Sequence, residues 1–151
     1  KIYVDTSVIN GLFADDAPWI KSATKSFFQI IKQKHYDIFI SDMVIAELER
    51  TPNLLRRKQL LSVINRFPFK QIVTTEEIEN LAQKYIDQAI VPHKYLPDAV
   101  HLALATIYHI PVIVSWNFKH IVRHKTRVMV NKVNKSFQYI EIDICSPEEV
   151  D

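Results

Sequence analysis

Four short apolar runs, each parted from the next by a stretch of helical period, set what this chain can fold into. They are KIYVD (1–5), DIFIS (37–41), IPVIVS (110–115) and FQYIEIDI (137–144), all rich in β-branched and aromatic residues. Helical period fills roughly 17–34, 42–50, 53–67, 75–90 and 97–109. Three of these stretches also carry start signals: Ser41 before DMV, Thr75 before Glu76 and Glu77, and Pro97 before Asp98. Strands joined through helical crossovers must pair in parallel, with helices on both faces of the sheet. The pattern predicts an α/β fold, a three-layer α/β/α sandwich around a central, mainly parallel sheet.

At 151 residues and 48% hydrophobic content, the chain has the size and apolar content of one domain, expected to span 1–151. No repeat or polar linker divides it, and Pro52, Pro68, Pro92 and Pro111 fall at element junctions. A lone glycine, Gly11, excludes both the dinucleotide fingerprint and the phosphate-binding loop, which need several glycines at fixed spacing. Cys145 has no second cysteine to pair with, and no apolar run reaches the roughly 20 residues of a membrane span. The expectation is a soluble, cytoplasmic protein with no membrane partner, its initiating methionine removed ahead of Lys1. A net charge of +2 is too small to decide for or against nucleic acid, so the distribution of charge has to.

Three acids stand at the edges of segments that should be buried. Asp5 ends the first strand run, Glu47 interrupts SDMVIAEL, and Asp98 opens PDAVHLALATIY. On a helix starting at Asp42, Glu47 falls between Met43 and Val44 on the apolar side, whereas Asp42 and Glu49 fall opposite. In an open parallel sheet, ligands bind beyond the carboxyl ends of the strands, where Asp5 lies. Each acid also has an ordinary explanation: Asp5 as a helix cap, Glu47 as a solvated helix glutamate, and Asp98 as a carboxylate at a helix N-terminus. Brought together, three carboxylates raise one another's pKa unless a cation neutralises them, and oxygen-only ligands select hard ions such as Mg²⁺ or Mn²⁺.

At DTSVING (5–11), AELER (46–50), PDAVHLALA (97–105) and VSWNFKHI (114–121), the chain resembles the PIN-domain family, in particular its toxin-like, VapC-type branch of small prokaryotic proteins. The resemblance implies a Mg²⁺- or Mn²⁺-dependent ribonuclease, with Asp5, Glu47 and Asp98 matching the family's catalytic, metal-holding acids. It further implies an RNA substrate, a small antitoxin partner and a homodimer. A fourth acid usual in the family is replaced here by Asn117, whose amide oxygen can coordinate or hold a water but adds no charge.

Around the acids, Thr6 and Ser7 carry hydroxyls suited either to orienting Asp5 or to capping a helix. His101, three residues after Asp98, either faces the site or is a buried, hydrogen-bonded histidine. His35, His93, His109 and His124 have no zinc-ligand spacing. From Ala99 to Ile140 there is no Asp or Glu, while Lys119, Arg123, Lys125, Arg127, Lys132 and Lys135 all fall inside that interval. Lys119, His120 and Arg123, nearest the motifs, are the expected RNA contacts; Trp116 and Phe118 either stack on bases or belong to the core. Two rival functions stand beside the ribonuclease: a non-catalytic RNA-binding protein, suggested by Asn117, and a phosphatase using Asp5 as nucleophile, which lacks a second aspartate two residues on.

Overall fold

Strands covered on both faces must be apolar throughout, and Ile2, Tyr3 and Val4 of the first strand are all buried. The structure, a computed structural model, describes residues 1–151 and contains five strands: β1 Ile2–Val4, β2 Ile38–Ser41, β3 Lys70–Ile72, β4 Val112–Val114 and β5 Asp143–Cys145. All neighbours pair in parallel, in the order β3-β2-β1-β4-β5. The helices are α1 Thr6–Gly11, α2 Pro18–Lys34, α3 Asp42–Glu49, α4 Leu54–Arg66, α5 Glu76–Asp87, α6 Leu96–Ile107 and α7 His124–Ser136. Single 3₁₀ turns cover His93–Tyr95 and Pro147–Glu149.

From β1 the chain steps outward to β2 and β3, then crosses back to β4 on the other side of β1 and continues to β5. Right-handed crossovers place α1–α4 on one face of the sheet and α5–α7 on the other. The order therefore reverses between β1 and β4, and their carboxyl ends form the crevice where sheets of this kind bind ligands.

Three expected helix starts hold. Ser41 Oγ accepts from the Val44 amide and Thr75 Oγ1 from the Ile78 amide, while Pro97 sits in the first turn of α6. Three elements have little sequence signal. β3 is a short edge strand in which only Ile72 is buried, so Lys70 and Gln71 break the apolar run. The six residues of α1 are too few to display a period. α7 buries Thr126, Val130, Val133 and Asn134, an i, i+4, i+7, i+8 stripe half made of polar residues. Its buried Asn134 joins Tyr85 of α5 and Thr106 of α6 in a closed hydrogen-bond network. The run FQYIEIDI is a strand only at its end. Gln138 takes a left-handed conformation after α7 (φ 62°), and pairing begins at Asp143.

The one glycine is not spent on a turn. Gly11 closes α1 where a Cβ would stand 2.5 Å from Thr24 Oγ1 and 2.9 Å from Trp116 Nε1. Thr24 cannot yield easily, since its hydroxyl donates to the Ile20 carbonyl at 2.6 Å and accepts from Trp116 Nε1 at 2.8 Å. Left-handed helix ends fall instead to His35, Ala89 and His109, at φ 55–56°. Gly11→Ala should therefore destabilise the protein by about 1–3 kcal/mol, outweighing alanine's better helix propensity. A thermal melt checks this; an unchanged or raised midpoint would mean that α2 and Trp116 are free to move apart.

Candidate active site

Asp5 leaves the end of β1 and stays in the sheet's environment: its amide donates to the Val114 carbonyl of β4, and its side chain is buried. Oδ1 accepts from Ser7 Oγ at 2.5 Å and from the Val8 amide at 3.4 Å, so Asp5 does cap α1. Oδ2 accepts from Ser115 Oγ at 2.6 Å. The two serines also hold the loop after β4, with Ser7 Oγ accepting from the Trp116 amide and Ser115 Oγ from the Asn117 amide. Cap and site are thus one arrangement. Burial pushes the Asp5 carboxyl above the usual carboxylate range, against the lowering effects of His101, Ser115 and Ser7; the charge of Glu47 adds to the rise.

Glu47 points inward from α3, as its helical phase predicts. Its Oε1 accepts from Thr6 Oγ1 at 3.1 Å and from His101 Nε2 at 2.6 Å. Thr6 therefore serves Glu47 rather than Asp5. His101, on α6, is buried; its Nδ1 lies 2.7 Å from the Tyr3 hydroxyl, which in turn lies 2.8 Å from Ser41 Oγ. Burial alone would lower the His101 pKa, yet the bond to Glu47 and the charges of Glu47, Asp5 and Asp98 raise it above the usual histidine value. Glu47 moves the opposite way: burial works upward, and His101 and Thr6 bring it below its usual value. Both shifts have the Glu47–His101 contact among their causes.

Asp98 occupies the first turn of α6, with Oδ2 3.0 Å from His120 Nδ1, and His120 lies against the Tyr95 ring at a centroid distance of 4.1 Å. Asn117 Oδ1 accepts from the His120 amide at 2.9 Å, closing the turn that carries this histidine.

Two of the three expected RNA contacts are otherwise engaged. His120 is buried on Asp98, so it holds a carboxylate instead of meeting phosphate. Arg123 spends its guanidinium inside the protein, donating from Nε to Thr126 Oγ1 and from Nη2 to the Ile90 carbonyl. Lys119 is exposed, its Nζ 5.9 Å from the Tyr95 ring centroid. Trp116 is buried and Phe118 is half exposed beside it. Sequence reasoning missed Tyr3 and Ser115, and read Ser41 only as a helix start. Ser115 was within reach of the carboxyl-end rule that singles out Asp5, whereas a tyrosine inside a strand run gives no polar signal.

The residues fit a hard divalent ion in donor chemistry. All three acids offer oxygen, Glu47 Oε2 and Asp98 Oδ1 accept no hydrogen bond, and the raised pKa of Asp5 reflects a buried charge short of compensation. As the side chains stand, no three His, Cys, Asp or Glu residues are grouped to hold an ion. Glu47 and Asp98 each rest on a histidine, and Asp5 rests on two serines.

No curated protein matches the chain by sequence. Among solved structures, it is similar to the Mycobacterium tuberculosis toxin VapC20, described as cleaving the sarcin-ricin loop. The TM-score is 0.61 at 16% identity, over 80% of this chain and 92% of that one, a likeness of fold. The sequence profile of the PIN domain matches residues 2–120, which run from β1 through the loop that holds His120 and include every acid described above. The chain belongs to the PIN domain family.

Proposed function

We propose that this protein is a Mg²⁺- or Mn²⁺-dependent endoribonuclease, with Asp5, Glu47 and Asp98 as the carboxylates that would hold the ion. The observation that carries the reading is the set of hydrogen bonds around the crevice between β1 and β4, where acids from three elements are held: Asp5 after β1 by Ser115, Glu47 on α3 by Thr6 and His101, and Asp98 on α6 by His120. A divalent ion bound there supplies acidity to an attacking water and counters the charge that develops on a phosphodiester. The chain's own groups position the carboxylates. Ser7 and Ser115 fix both oxygens of Asp5, Thr6 and His101 fix one oxygen of Glu47 and leave the other open, and His120 does the same for Asp98. Asn117, a weaker contributor through its amide oxygen or a water, stands on the same loop. Lys119, exposed beside Tyr95, is placed to meet a phosphate at the rim.

Membership of the PIN family and the likeness to a toxin described as cleaving the sarcin-ricin loop support a wider role as the toxin of a toxin–antitoxin pair with a small antitoxin partner, and the homodimer that the family resemblance implies belongs to the same proposal. Asn117 in place of an acid favours one alternative, a non-catalytic RNA-binding PIN protein.

Cleavage of a generic RNA with and without Mn²⁺ separates the two. Asp5→Asn and Asp98→Asn should each reduce Mn²⁺-dependent cleavage by more than about 100-fold, beyond the ~10–100-fold typical of groups that only orient a ligand. Cleavage that survives both changes would place the chemistry elsewhere.

Asn117→Asp can keep the bond to the His120 amide while adding a charge, and should tighten Mn²⁺ binding. Calorimetric titration checks this; no gain would mean that the side chain at 117 serves its turn only.

A further inference from the structure

The acid-free interval that follows Ala99 is where sequence alone points for phosphate contacts, yet three of its six Lys and Arg residues are bonded within the fold. Arg123 holds Ile90 and Thr126, Lys125 donates to the Ala89 carbonyl and Arg127 pairs with Glu149, while Lys119, Lys132 and Lys135 are exposed without an ion pair. A second set of free positive charges lies on the opposite layer. Between α2 and α4 runs a groove of about 480 Å³ whose nine lining residues include Lys21, Lys25, Lys32 and Arg66 and no acid. Lys25, Lys32 and Arg66 are exposed and form no ion pair. Lys21 pairs with Asp15 at the upper end.

Both helices run from the carboxyl edge of the sheet toward its amino edge, as each parallel crossover must, so Lys21 starts the groove and Lys32 and Arg66 end it, about 16 Å further on. At the upper end the groove meets a second hollow through Phe13, which lines both. That second hollow contains Arg56, its guanidinium carbon 5.2 Å from the centre of the Phe13 ring, together with Trp116, Asp16 and Ser7. Ser7 is the residue that donates to Asp5. Cations and aromatic rings therefore follow one path from the carboxylates down the side of the molecule, with Phe28 and Phe67 stacked at 4.5 Å in its floor.

We infer that this α2–α4 groove is the track for single-stranded RNA leading to the carboxylate site: phosphates lie along Lys25, Lys32 and Arg66, and an unpaired base stacks at Phe13. The inference rests on the ribonuclease reading for what happens at the end of the track, and on charge and aromatic placement for the track itself. RNA suits the groove because Lys25, Lys32 and Arg66 are spaced along its length and form no ion pair, the pattern a polyanion with regular charge would meet.

The test is binding of a labelled oligouridine by the full chain in EDTA, across a series of monovalent salt concentrations. The Lys25→Gln/Lys32→Gln/Arg66→Gln variant should flatten the slope of log affinity against log salt by about two units, three contacts at roughly 0.7 each. Lys132→Gln/Lys135→Gln on α7 should leave the slope unchanged. Phe13→Leu should weaken binding about fivefold or more without altering the slope, the mark of lost stacking rather than lost charge. Melts of each variant confirm that it is folded. An unchanged slope in the triple variant, a slope carried by the α7 lysines, or no RNA binding by the native chain would overturn the inference. Unchanged RNA binding combined with lost affinity for polyglutamate would overturn it too, assigning the groove to an acidic peptide. Groove-dependent RNA binding without any Mn²⁺-dependent cleavage would uphold the track and remove the nuclease reading.

Discussion

Asp5 is a carboxylate buried at the junction of the two strands where the sheet changes direction, and the local structure is arranged around that fact. Water is excluded from it, so its oxygens must be met by protein donors, and the donors come from both sides of the switch: Ser7 and the Val8 amide from α1, Ser115 from the loop after β4. The same serines accept from the amides of Trp116 and Asn117, so the carboxylate fixes the course of the loop that carries the rest of the motif. Trp116 then packs on Gly11 and Thr24, which seats α1 and α2 against the sheet. One buried charge thereby ties together β1, β4 and the first two helices.

The other two acids are compensated by imidazoles. His101 is itself anchored through Tyr3 and Ser41, two residues of the core strands, so the orientation of Glu47 is set from inside the sheet rather than from solvent. His120 performs the equivalent task for Asp98 from the loop that Asn117 closes. Glu47 and Asp98 each rest on a histidine, while Asp5 rests on serines. One oxygen on each of Glu47 and Asp98 accepts no hydrogen bond, and these are the atoms the proposed ion would use.

Much of this was legible in the chain. Apolar strand runs alternating with capped helical stretches require a parallel sheet, and the phase of α3 turns Glu47 inward. The acids at the edges of buried segments are brought to one end of the sheet. What escaped has physical causes. β3 lies at the edge, where burial demands little of its sequence, and α7 buries Thr126 and Asn134, so its stripe reads as polar. Tyr3 hides its role in a strand that any apolar residue could fill. The basic interval is legible only in part for a different reason: linear charge density says nothing about which cations are already paired, and Arg123 and Arg127 are consumed by carbonyls and Glu149 within the fold while Lys119, Lys132 and Lys135 stay exposed. The free cations of α2 and α4 are scattered in sequence and gathered only by the packing of two helices.

The central claim is that Asp5, Glu47 and Asp98 are held together for a divalent ion. Anomalous diffraction from crystals of the native chain grown with Mn²⁺ tests it most directly. The account predicts an anomalous peak bounded by these three carboxylates, with His101 still bonded to Glu47. A peak elsewhere, or none at this site at saturating Mn²⁺, would contradict it and leave the acids as structural partners of their histidines.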